Sequence, residues 1–285
     1  MYELTLTGDN GKTLTFNQLG GQFTIAAITG LNPPRATINR NDVALGAGSR
    51  YNSSKILERE IQIAFAVEHD AEDGRLLVYD VLRTGKPVRV HYKSDRLDVF
   101  VDGYVWNISP DYFAMKQIVT VDIICPSPYF KGAQEIVNDL SAIVSTFFFP
   151  FASVAEGELV FGYIDALQTI AIENEGNVEC GLTIELYARG AVTNPKIYNY
   201  LTGDYIGINY TLEPGDLVTI TTEQGNKTVT LLHNGANSNL FNYVMAGSVW
   251  LQLPPEGAQF AYEVGSGSIA NLLVSFAHNN LFEGV

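Results

Sequence analysis

The chain has 285 residues, enough for two ordinary domains or one large β domain, and its 46% apolar and 17% charged residues exclude general disorder. No apolar run reaches the roughly 18 residues of a membrane-spanning helix, and Met1 leads into the alternating "YELTLTG" with no sign of a secretory signal. The net charge of −14 is uneven: residues 1–131 hold 14 Lys and Arg against 15 Asp and Glu, whereas residues 132–285 hold 3 against 16. Such a step argues for two domains in different surroundings, and it argues against nucleic acid as a partner of the second, because phosphate repels it.

In chain order, "YELTLT" and "KTLTF" flank the turn "GDNG" as a hairpin, and "QFTIAAITGL" gives a third strand. The alternation then lapses over residues 33–56, a basic segment rich in Gly, Asn and Ser that carries Arg35, Arg40, Arg50 and Lys55. A stretch this long without apolar patterning is either a flexible loop or an arm that reaches a neighbouring subunit. "EREIQIAFAVEH" resumes the β pattern.

One helix is expected next. Asp70 is placed to cap it with Asp73 three residues on, Leu77, Val81 and Leu82 form its inner face, and Gly85 with Pro87 ends it. "VRVHY", "LDVFVDGYVWNI" (with Gly103 as the candidate kink) and "AMKQIVTVDII" follow as strands, and Cys125–Pro126 closes the first domain. An irregular connector, residues 132–165, opens the second half. Short β segments then recur at 8–12-residue spacing, with explicit turns at Thr202–Asp204, Pro214–Asp216 and Gln224–Asn226. That spacing reads as a β-sandwich or jelly roll.

The sequence offers little chemistry. His69, His91, His233 and His278 are scattered, GxSxG and P-loop patterns are absent, and "GNVECG" lies between strands, where a phosphate loop would need a following helix. Cys125 and Cys180 lack CxxC or Cys/His spacing and read as buried thiols of a protein made in a reducing cytoplasm. No catalytic residue, cofactor or metal is therefore expected. Two aromatic features remain. "FFFPF" (Phe147–Phe151) is either a partner-binding segment or, as the favoured reading, a strand of the second domain's core. Trp250 in "SVWLQL" is either a sugar platform or a ring packed under a loop, again the favoured reading.

The ending "DYFAMKQIVTVDIICPSPYF" (residues 111–130), together with "IENEGNVECGLTIEL", "NPKIYNYLTGDYIGINYTLEPGDLVTITTEQGNKTV" and the final "FAHNNLFEGV", resembles the distal tail protein family of siphophages over essentially the whole chain. The resemblance implies a mainly β chain. Residues 1–131 would form an N-terminal β-sandwich or barrel-like ring domain with one α-helix, and residues 132–285 a C-terminal galectin-like β-sandwich. It further implies a homohexamer at the tip of the tail, with residues 33–56 as the arm that embraces a neighbour and Arg35, Arg40, Arg50 and Lys55 as candidate interface residues. The implied partners are the tail tube, tape measure and tail-associated hub or lysin proteins and receptor-binding or side proteins; DNA would pass through the ring unrecognised and no membrane anchor is implied. Galactoside recognition does not carry over, since Arg189 is the second domain's only Arg and "VWLQL" lacks the Glu expected after Trp. The rival reading is a carbohydrate-binding sandwich protein centred on Trp250.

Overall fold

The computed structural model describes residues 2–17, 20–42, 47–114, 116–145, 162–166 and 169–285. The chain divides into two compact units, Met1–Gln134 with Leu281–Val285, and Glu135–Asn280.

The first unit is built from β1 (Glu3–Gly8), β2 (Thr13–Asn17), β3 (Phe23–Thr29), β4 (Ala36–Asp42), β5 (Ser49–Ile56), β6 (Arg59–Val67), α1 (Ala71–Val81), β7 (Pro87–Lys93), β8 (Asp98–Pro110), β9 (Ile118–Cys125) and β10 (Phe130–Gly132). Its main sheet runs β2-β1-β7-β8-β9-β6-β3, with antiparallel pairing throughout. Side chains alternate across a strand, so one residue in two is buried: Leu4 and Leu6, Leu14 and Phe16, Ile61, Ile63 and Phe65, Val119, Val121 and Ile123. The sheet curls until its two edges meet. Phe16 on β2, Phe23 on β3 and Phe65 on β6 form a triangle with centroid separations of 4.9 to 6.0 Å, which makes the unit barrel-like. β8 is one continuous strand whose irregularity falls between Val105 and Asn107 rather than at Gly103.

The helix lies where the sequence places it, with Val81 and Leu82 inward as expected, but Leu77 does not join them. Gly74, Val78 and Val81 are buried, Leu82 follows them into the core, and Leu77 is exposed. A Cβ at position 74 would come within 2.4 Å of Val67 Cγ1, so the absent side chain lets the helix lie close on β6. Small and β-branched residues win the inner face over longer leucines for that reason. Nor does Asp70 cap the helix with its side chain; it takes a left-handed backbone (φ 48°), and only its carbonyl takes part, accepting from the Gly74 amide at 2.8 Å. The C-terminal end of α1 is tied down by Asn10 Nδ2 donating to the Asp80 carbonyl at 2.7 Å and by the Lys12–Asp80 ion pair.

The second unit is a two-sheet antiparallel sandwich. One sheet has the order Ile136–Asp139, Leu272–His278, Thr183–Ala188, Leu217–Thr221, Thr228–His233, Ala236–Asn239. The other has the order Ile170–Ile172, Ala258–Glu263, Lys196–Asn199, Tyr205–Gly207. Ile184, Leu186, Ile220, Val274 and Phe276 face Phe260, Ile197 and Ile206, all buried, and Phe260 stacks on Phe276 at 5.1 Å. At the Pro214–Asp216 turn, the buried Asp216 carboxylate accepts from the Glu213 amide at 2.8 Å and contacts His233 Nδ1 at 2.6 Å.

Two readings of the sequence change here. The segment after residue 132 is less irregular than its composition suggests, because Ser141–Ser145 pairs with Gly162–Ala166 in a ladder; Phe147–Phe151 lies outside the described residues. The chain's last stretch also leaves the second domain. Leu281 and Phe282 pair with Lys131 and Phe130 of β10, so the first unit is completed by residues at the far end of the sequence.

Candidate functional site

Within residues 33–56, the described residues form mainly two strands. β4 and β5 pair antiparallel from Ala36↔Ile56 to Asp42↔Ser49, with a register shift between Asn39 and Arg40. Every residue of both strands is exposed. Seven residues of β4 at about 3.4 Å each make an arm reaching roughly 24 Å. Asn39 Nδ2 donates to Ser53 Oγ at 3.0 Å and the Tyr51 hydroxyl to Ser54 Oγ at 3.1 Å. These bonds and the backbone ladder are what the arm's strands have, because neither face is covered. Isolated two-stranded hairpins are marginal in water. Ile38 and Tyr51, each 61% exposed, add apolar surface that water does not favour.

The four basic candidates all belong to this feature: Arg40 and Arg50 lie on the two strands, and Arg35 and Lys55 lie at its base, all exposed. The structure thus collects Arg35, Arg40, Arg50 and Lys55 on one projection.

The root of the arm, by contrast, is tightly built, and its key residue was not singled out in the sequence. Arg59, only 2% exposed, donates to four backbone carbonyls. Nε reaches Pro128 at 2.8 Å, Nη1 reaches Asn32 at 2.8 Å and also Gly30, and Nη2 reaches Glu283. Its guanidinium lies 4.4 Å from the centroid of Phe130. Burial pulls its pKa down, although a guanidinium stays charged at any physiological pH. The terminal residues close the same knot. Val285 N donates to the Leu31 carbonyl at 3.1 Å, and Gly284 packs so near that a Cβ there would lie 2.9 Å from Pro33 N. The only signal in the sequence is one Arg at the start of an otherwise ordinary strand, which composition cannot distinguish from a surface cation. A groove of about 870 Å³ opens beside this root, lined among others by Pro33, Lys55, Glu60, Trp106 and Asp122.

Among the described residues, no cluster of three or more His, Cys, Asp or Glu could hold a metal ion. Cys125 is fully buried, and desolvation pushes its thiol up to about 12, which makes it inert; Cys180 is buried too. Trp250 is half-buried and stacks on Phe241 at 5.7 Å, with Lys227 Nζ 5.6 Å from its ring centroid. The ring is thus packed against Phe241 rather than standing free on the surface.

Residues 175–278 match the family described as "Siphovirus-type tail component, C-terminal domain". Among solved structures, SPP1 Dit, described as a paradigm of the hub of the adsorption apparatus in phages infecting Gram-positive bacteria, matches with a TM-score of 0.69. It shares 14% identity, with 98% of this chain and 99% of that one covered. A chain of the phage P2 baseplate in its activated conformation with Ca matches at 0.53 and 14% identity, and the corresponding Sr form at 0.52 and 13%, each over the full length of both chains. A search of the curated proteins matches nothing. The resemblance to the siphophage distal tail proteins therefore holds: the chain has the fold of the tail and baseplate hub, and its C-terminal sequence carries that family's pattern.

Proposed function

We propose that this chain is the distal tail protein of a siphophage or prophage. Six copies form a ring at the end of the tail, which connects the tail tube to the tip or baseplate and anchors the host-adhesion components. Its partners are further copies of itself, the tail tube and tape measure proteins, the tail-associated hub or lysin protein, and receptor-binding or side proteins. DNA passes through the channel without specific binding. The protein is made and assembled in the bacterial cytoplasm and resides in the virion. Its action is mechanical rather than enzymatic.

The arm carries this reading. A solitary protein gains nothing from a long exposed hairpin with a firmly anchored root, whereas a subunit that must grip its neighbour needs both. Ring contacts are heterologous, so the arm of one copy meets a different patch on the next. The uneven charge fits as well, since six strongly acidic domains repel one another and favour the outside of a ring.

Light scattering on a size-exclusion column, followed by negative-stain imaging of the same peak, tests the proposal. The expected particle has a mass near six times 31.2 kDa and an open centre. Deleting Asn39–Ser49 is expected to leave folded monomers. Rings that survive the deletion sink the role of the arm, and a closed two-fold dimer as the largest species sinks the ring.

A further inference from the structure

The arm needs a receiving surface, and the first unit presents one on α1. With Gly74, Val78 and Val81 turned inward, the opposite side of the helix shows Glu72, Asp73, Leu76 and Leu77, all exposed. Two adjacent leucines on a solvent face are unusual for a short helix whose core contacts are made by other residues. Leu76 is 53% exposed. Among the described residues, neither Glu72 nor Asp73 enters an ion pair. Asp80, further along, is held by Lys12, and Arg75 lies over the Tyr112 ring at 4.9 Å. The face is thus an apolar pair flanked by two available carboxylates.

The arm has the opposite character. Residues 33–56 hold four cations and one carboxylate, Asp42, beside the exposed Ile38 and Tyr51. Two such arms repel each other, so the arm does not pair with a copy of itself. What it suits is an acidic surface with an apolar centre, and the helix face is one.

We propose that the Glu72–Asp73–Leu76–Leu77 face of α1 is the landing surface for the arm of a second copy of this chain, with Arg40 and Arg50 against the two carboxylates and Ile38 or Tyr51 against the leucines. This inference rests on the arm's role in the preceding section and names its partner surface.

Charge exchange tests it. One full-length variant carries Glu72→Lys and Asp73→Lys, and the other carries Arg40→Glu and Arg50→Glu. All four positions are exposed, so circular dichroism should show both variants folded. In sedimentation velocity, each variant alone is expected to self-associate at least about 100-fold more weakly than the wild type, because every contact now sets like charges together. An equimolar mixture is expected to recover association, since the arm of each variant then complements the helix of the other.

Unimpaired association of the Glu72→Lys/Asp73→Lys variant, beside a crippled arm variant, overturns the helix assignment and leaves the arm reading intact. Unimpaired association of the arm variant overturns the arm reading itself. A second measurement reads even weak contacts: zero-length carbodiimide cross-linking of mixed unlabelled and ¹⁵N-labelled Arg50→Lys chain, which puts an amine at the position proposed to meet the carboxylates. Heavy–light links from position 50 to Glu72 or Asp73 support the proposal. Links from position 50 only to other carboxylates, those of the second unit included, or no heavy–light links from it at all, overturn it.

Discussion

Replacing Arg59 by Met keeps an apolar stem of similar length and removes the guanidinium, which leaves the carbonyls of Gly30, Asn32, Pro128 and Glu283 without their donor. Asn32 is exposed and regains water, whereas the other three residues are half-buried. A buried acceptor stripped of its partner costs about 1–3 kcal/mol. Three of them at the low end, plus roughly 1 kcal/mol for the contact with Phe130, give about 4 kcal/mol. Relief from burying a cation returns part of this, so a net loss of about 3 kcal/mol is expected. That is a large share of the ~5–15 kcal/mol typical of a domain. The loss should be local first. Hydrogen exchange at Leu57 N, which donates to the Arg35 carbonyl, and at Val285 N should accelerate by about two decades. Arg59→Lys, with three donors and no planar fork, should fall about halfway. A denaturation midpoint within experimental error of the wild type, with unchanged exchange at those two amides, would refute the claim that Arg59 holds the root.

Other expectations follow from the packing and the titrating groups. Gly74→Val places a side chain where Val67 Cγ1 already lies 2.4 Å from a Cβ, and should destabilise the first unit by about 1–3 kcal/mol in urea titration; a neutral result means that helix and strand are not in close contact. His278 has its pKa lowered, mainly by burial and against the opposing pull of Asn280, the Glu173 backbone, Glu135 and Glu175. The unfolded chain then binds the extra proton, so the second unit keeps this stability above the ordinary value of 6.5 and loses it as the pH falls below that, by at most about 1.4 kcal/mol per pH unit. Thermal melts at pH 7 and pH 5 should show a smaller difference for His278→Gln than for the wild type; equal differences refute it. Both thiols should resist a disulfide reagent until denaturant is added, and rapid labelling of the native protein contradicts the burial of Cys125 and Cys180.

The strands of the main sheet were legible because their buried residues recur at every second position: Ile61 and Ile63 alternate with the exposed Glu60 and Gln62, and period two follows from the pleat. The arm was legible only as a basic stretch without a pattern. β4 and β5 bury neither face within the chain, so nothing selects apolar residues at every second position, and the backbone ladder that pairs them leaves no trace in composition. The helix was found with Val81 and Leu82 rightly inward, but Leu77 was misplaced, since hydrophobicity ranks it above Gly74 while close approach to β6 demands the reverse. The Arg59 knot was hidden for a different reason. It joins segments near residues 30, 59, 128 and 283, and sequence separation of that kind gives no local signal.

The return of Leu281–Val285 to the first unit makes the second unit an insertion between two neighbouring strands, β10 and the terminal pair Leu281–Phe282. During synthesis, the ribosome must therefore finish the whole inserted sandwich before the first unit can close. Until Glu283 arrives, Arg59 lacks one of its four acceptors and Leu31 lacks Val285. The root of the arm is thus assembled from the two ends of the unit's sequence, with a whole sandwich folded in between.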